Sequence, residues 1–98
     1  MSVHVCSYAL PTPQPGTATL EVKVGMRPLR IASQNGVPQL WALVDSEAGL
    51  YKRRVKMLRH DEPFDADESP VEWSYLGSFR AATPGEEIYH VFLGSVVL

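Results

Sequence analysis

Asn35-Gly36, set between two apolar runs in residues 28–46, restricts the fold of this chain more than any other feature. Asn-Gly is the strongest two-residue hairpin signal, because a type I′ turn needs φ > 0 at both central positions. With Gln34 and Val37 flanking the turn, Ser33 pairs with Pro38, Ile31 with Leu40, and Leu29 with Ala42. One face of the hairpin then carries Leu29, Ile31, Leu40, Ala42 and Val44. The other carries Arg30, Ala32, Gln39, Trp41 and Leu43. Residues 40–44 are apolar on both faces, the pattern of a strand in the middle of a two-layer structure.

The rest of the chain reads as further strands. Residues 2–10 alternate weakly, with Val3, Val5 and Ser7 against His4, Cys6 and Tyr8. Pro11, Pro13 and Pro15 cannot join a ladder and mark a loop. Residues 17–24 alternate cleanly, Ala18, Leu20, Val22 and Val24 opposing Thr17, Thr19, Glu21 and Lys23. Residues 50–59 place Tyr51, Val55 and Met57 opposite Lys52, Arg54 and Lys56. A helix is the alternative there, since Leu50, Arg54, Met57 and Leu58 also fit helical spacing. Gly49 and the β-branched and aromatic residues favour a strand. Residues 71–82 set Trp73, Tyr75, Gly77 and Phe79 against Leu76, Ser78 and Arg80, and 88–93 close the chain. Eight prolines and seven glycines favour short strands over long helices. With no internal repeat, residues 1–98 are expected to form a single all-β domain, a small antiparallel sandwich or barrel of six or seven strands. The expected core is Leu29, Ile31, Leu40, Trp41, Leu43, Val55, Tyr75, Phe79, Val91 and Phe92.

Chemistry-bearing motifs are sparse. One cysteine, Cys6, excludes an internal disulfide and a cysteine-based zinc site, and suits a reduced compartment. Cys6 reads as a small buried hydrophobe, not a nucleophile. His4 and His90 fall on terminal strands that could pair, but a metal site needs more ligands at set positions, so structural histidines are expected. No phosphate-cradling glycine loop occurs. Asp65-Ala-Asp67 has alternate carboxylates but lacks the glycine and distal glutamate of a calcium loop. No catalytic residues, metal or cofactor are expected. A net charge of −2 gives no global attraction to nucleic acid or anionic membrane. No signal peptide is expected at the start, and no apolar run reaches bilayer-spanning length.

Two charged segments are the candidate surfaces. The longest loop holds Asp61, Glu62, Phe64, Asp65, Asp67 and Glu68. Its carboxylates could stand in for phosphates on a basic partner, with Phe64 as an aromatic anchor. Just before it, Lys52, Arg53, Arg54, Lys56 and Arg59 form a basic strand, the second candidate surface. The acidic loop beside it weakens any nucleic-acid reading.

Residues 25–45, with Gln34-Asn-Gly-Val-Pro-Gln-Leu-Trp-Ala-Leu-Val-Asp45, resemble the hallmark stretch of a family of short uncharacterised proteins from phages, prophages and plasmids. Tyr75-Leu-Gly-Ser-Phe79 resembles that family's Tyr-Ile-Gly-Thr-Phe, and Tyr89-His-Val-Phe92 its Phe-His-Val-Phe. Members have a histidine and proline with few carboxylates after the fourth strand; here His60 opens a longer acidic loop. The resemblance implies a mobile-element accessory protein in a bacterial host cytoplasm. The leading expectation is a non-catalytic inhibitor that binds a host protein, such as an antiviral defence complex (anti-CRISPR-like). The alternatives are sequestration of a nucleotide signal and a structural role in phage assembly.

Overall fold

The computed structural model describes residues 2–10, 16–64, 72–81 and 87–97. The expected all-β class holds. Seven strands run in chain order: β1 (Val3–Ala9), β2 (Gly16–Lys23), β3 (Arg27–Gln34), β4 (Val37–Asp45), β5 (Leu50–Arg59), β6 (Ser74–Arg80) and β7 (Ile88–Val97). They form two antiparallel sheets, β1-β4-β3 and β2-β5-β7-β6, stacked as a sandwich and not closed into a barrel. Residues 50–59 are a strand, so the helical alternative falls.

The β3–β4 hairpin turns at Asn35 (φ 53°) and Gly36 (φ 79°), both in the left-handed region as a type I′ turn requires. Gln34 pairs with Val37, Ser33 with Pro38 and Ile31 with Leu40. Beyond that the register slips. Pro28, not Leu29, faces Ala42, and Leu29 is the extra residue of a β-bulge between Pro28 and Arg30. A second bulge lies at Leu76, between the pairs Tyr75–Phe92 and Gly77–Val91. A third interrupts β5–β7: Arg53 faces Val96 and Val55 faces Leu93, leaving Gly94 and Ser95 opposite Arg54. Pairing then resumes, so β7 runs to Val97 instead of stopping at Leu93.

The core lies between the sheets. Leu40, Ala42 and Val44 of β4 meet Val22, Val55, Met57, Phe79, Tyr89, Val91 and Leu93 of the four-stranded sheet. Leu40, Val22, Val55 and Val91 are the largest side chains wholly removed from water. Cys6 packs half-buried against this core. Where β3 approaches β6, a Cβ on Gly77 (φ +148°) would lie 3.3 Å from Ile31 Cγ1, so glycine permits the approach. Polar ties cross between the sheets. The Lys23 N–H of β2 donates to Tyr8 Oη of β1 at 3.1 Å. Lys23 Nζ donates to the carbonyls of Ser46 and Ala48 in the β4–β5 turn, at 3.2 and 2.9 Å. Burial pushes the Tyr8 phenol above its ordinary pKa, outweighing the Lys23 N–H donated to it, which favours the phenolate.

Five expected core residues lie elsewhere. Trp41 and Leu43 are half-buried on the outer face of the three-stranded sheet, because β4 is apolar on both sides but covered on one. Leu29 is 47% exposed, turned outward by the bulge. The bulge at Leu76 likewise separates Tyr75, 56% exposed, from the inward-facing Phe79. Phe92 is half-buried on the outer face of the four-stranded sheet, beside its pair partner Tyr75.

Urea unfolding separates these positions. Leu40→Ala is expected to cost about 2–5 kcal/mol through lost transfer energy and a cavity. Trp41→Ala is expected to cost about 1 kcal/mol, because one side of its ring already faces water. Gly36→Val places a β-branched residue at positive φ, with open space around it. The cost is then backbone strain alone, about 1–3 kcal/mol, read as a lower unfolding midpoint.

Candidate functional site

Each sheet turns one face outward, and the two faces differ in chemistry. On the four-stranded sheet the expected basic strand is divided. Lys52, Arg54 and Arg59 are exposed. Arg53 points to the opposite face by strand alternation, donates through Nε to the Gly94 carbonyl at 2.8 Å, and lies over the Tyr51 ring. Lys56 is only 2% exposed. Its ammonium sits 5.6 Å from the Trp73 ring centre and 5.8 Å from that of Phe64, within cation–π range of both. Lys56 is therefore a packed residue of this face.

Phe64, expected as an aromatic anchor, is half-buried with its ring edge-on to Phe92, centroids 5.0 Å apart. Phe92 in turn meets Tyr75 at 5.3 Å. Trp73 lies over Gly94, where an added Cβ would fall 2.6 Å from its Cζ3. Asp61 is exposed at φ 69°, a conformation aspartate tolerates, and the Glu62 N–H closes a turn onto the Arg59 carbonyl. Asp65, Asp67 and Glu68 lie outside the described residues.

The same face brings together three residues from separate parts of the chain. His60 Nδ1 is 3.2 Å from His90 Nε2, and Tyr75 Oη is 3.0 Å from His90 Nδ1. His60 Nε2 is 3.6 Å from Asp61 Oδ1. Pairing of Leu58 with His90 and Ser78 with His90 sets this meeting point. The partner of His90 is thus His60, not His4: β1 and β7 belong to different sheets and do not pair.

The outer face of the three-stranded sheet is apolar. Val3 and Val5 of β1 lie beside Leu43 of β4, and Leu29, Val37 and Trp41 continue the surface. Val3, Val5, Leu29 and Val37 are all exposed. Two shallow hollows indent it. One, about 490 Å³, is lined by Val5, Leu29, Arg30, Ala32 and Trp41 among others. The second, about 410 Å³, is lined by Val3, Val24, Arg27, Leu43 and Asp45 among others. Each hollow thus combines apolar walls with one arginine. Reading the sequence missed this face. Its signal in the sequence is residues 40–44, apolar on both sides, a pattern that burial on both sides would also produce.

Lys56 provides a test of how the other face is built. Lys56→Met should cost less than Lys56→Glu, since it removes the charge while keeping an unbranched side chain against both rings. Lys56→Glu sets a carboxylate against two ring faces and should cost about 3–5 kcal/mol. Chemical denaturation of both variants checks this, and equal losses would contradict the placement.

Among the described residues no group of three or more His, Cys, Asp or Glu side chains gathers into a metal-binding cluster. No helix among them is long and apolar enough to cross a membrane. No curated protein and no solved structure matches the chain. Residues 1–96 match the model of a family described as Domain of unknown function (DUF7352). A match of that extent covers nearly every element described above, and the chain belongs to the DUF7352 family.

Proposed function

We propose that this protein is a non-catalytic binding module that docks a protein partner on the outer face of its three-stranded sheet. One observation carries the reading: Trp41, Leu43, Val5 and Leu29 form a contiguous apolar face with two hollows, each edged by an arginine. Contiguous exposed apolar surface marks interaction sites, and tryptophan and arginine are the residues most enriched at binding hot spots. The complementary partner presents apolar side chains flanked by carboxylates that reach Arg27 and Arg30. The resemblance to phage, prophage and plasmid proteins supports a host protein as that partner. It supports inhibition of an antiviral defence complex in the bacterial cytoplasm as the outcome.

A photo-crosslinker placed at Val5 or at Asp61 tests which face docks, because Val5 lies in β1 of the three-stranded sheet and Asp61 in the turn that follows β5 of the other. In host cells, crosslinking to one discrete protein is expected from position 5. It should be abolished by Trp41→Glu and weakened by Arg30→Glu, more so at low salt. Crosslinks from position 61 alone, or undiminished crosslinking by the Trp41→Glu variant, would overturn the reading.

A further inference from the structure

The contact between His60 and His90 has a geometry that the docking function does not use. Both rings stand on the outer face of the four-stranded sheet in contact with solvent. His60 follows the last residue of β5, and its N–H donates to the Ile88 carbonyl at 2.9 Å, so its backbone is held against β7. His90 sits within β7, in the middle of the sheet. The two nitrogens that face one another, His60 Nδ1 and His90 Nε2, are 3.2 Å apart. Two imidazole nitrogens bound to one tetrahedral zinc ion, each at 2.0–2.1 Å, are separated by about 3.3 Å.

Each outward nitrogen has an oxygen atom beside it, and that of His90 is within hydrogen-bond distance. Tyr75 Oη is positioned to accept a hydrogen bond from His90 Nδ1–H, at 3.0 Å. Asp61 Oδ1 lies 3.6 Å from His60 Nε2, a neighbouring carboxylate just beyond hydrogen-bond distance. With His60 protonated on Nε2 and His90 on Nδ1, the two unprotonated nitrogens are the ones that face each other across 3.2 Å. Metal-bound histidines characteristically donate their second N–H to a carboxylate or another oxygen, and that partner sets tautomer and ring orientation.

We propose that His60 and His90 form a two-histidine chelate for a divalent, imidazole-preferring cation: zinc, nickel or copper(II). Water completes the coordination shell, since the site is exposed and the described residues supply no third ligand. Without the cation, one N–H···N hydrogen bond joins the rings. With it, the ion replaces that hydrogen bond and sits to one side of the line joining the two nitrogens. The His90 proton moves from Nε2 to Nδ1, where Tyr75 Oη accepts it, and the Tyr75 hydroxyl proton turns to water. No net proton is released. Calcium and magnesium, which require oxygen ligands, should not bind there.

Titration of the full chain with zinc chloride, followed by calorimetry, tests the site. One ion per chain is expected. His60→Gln or His90→Gln should each lower affinity by more than tenfold, and Tyr75→Phe by about tenfold, the usual effect of losing an orienting partner. His4→Gln, on the other sheet, should leave affinity unchanged. Nitrogen-15 spectra of the wild-type protein identify the ligating atoms without any substitution: the shifts should move at His60 Nδ1 and His90 Nε2. No zinc uptake by the wild type, undiminished uptake by a His60→Gln/His90→Gln double variant, or ligation through the opposite ring nitrogens would overturn the proposal.

Discussion

Everything else in this structure depends on one packing contact: the inner row of β4 against the inner rows of β5 and β7. Leu40, Ala42 and Val44 descend from one sheet onto Val55, Met57, Val91 and Leu93 of the other. Each fully buried aliphatic side chain contributes about 1.5–3 kcal/mol, the main driving force available to a domain this small. Once that contact is made, strand alternation decides the rest. It sends Arg53 inward, where a backbone carbonyl receives it, and Lys56 outward, where two rings cover it. It also leaves Trp41 and Leu43 on a face with water above them.

The two outer faces follow from different local solutions. The four-stranded sheet is partly roofed by the chain that leaves β5, with Phe64 on Phe92 and Trp73 on Gly94. That arrangement removes Lys56 from solvent and gathers His60, Tyr75 and His90 at one edge of the covered area. Among the described residues nothing lies over the three-stranded sheet, and its apolar content exceeds what isolated surface hydrophobes would explain. A strand apolar on both sides is costly to expose.

The hairpin was legible from the outset because Asn35-Gly36 encodes its turn and the turn dictates the adjacent register. The strand at residues 50–59 and the two-layer class were legible from alternation. The errors have two physical sources. Bulges at Leu29 and Leu76 break the period of two, and a single extra residue turns the neighbouring side chains to the other face; Leu29 and Tyr75 were misplaced for this reason. Trp41 and Leu43 were misplaced because apolarity on both sides of a strand does not say which side will be covered. The His60–His90 contact could not be read either. It joins residues thirty positions apart, and only the pairing of β5 with β7 brings them together.

The central claim is that β4 buries one apolar side and presents the other. Solvent paramagnetic relaxation of methyl groups in the dilute, isolated protein tests it most directly. A soluble gadolinium chelate should strongly broaden the methyl signals of Val3, Val5 and Leu29 and measurably broaden those of Leu43. It should leave Leu40, Val44, Val55 and Val91 sharp. Protection of Val5 and Leu43 equal to that of Leu40 and Val44 would contradict the account, because the outer face would then already be covered in the protein alone.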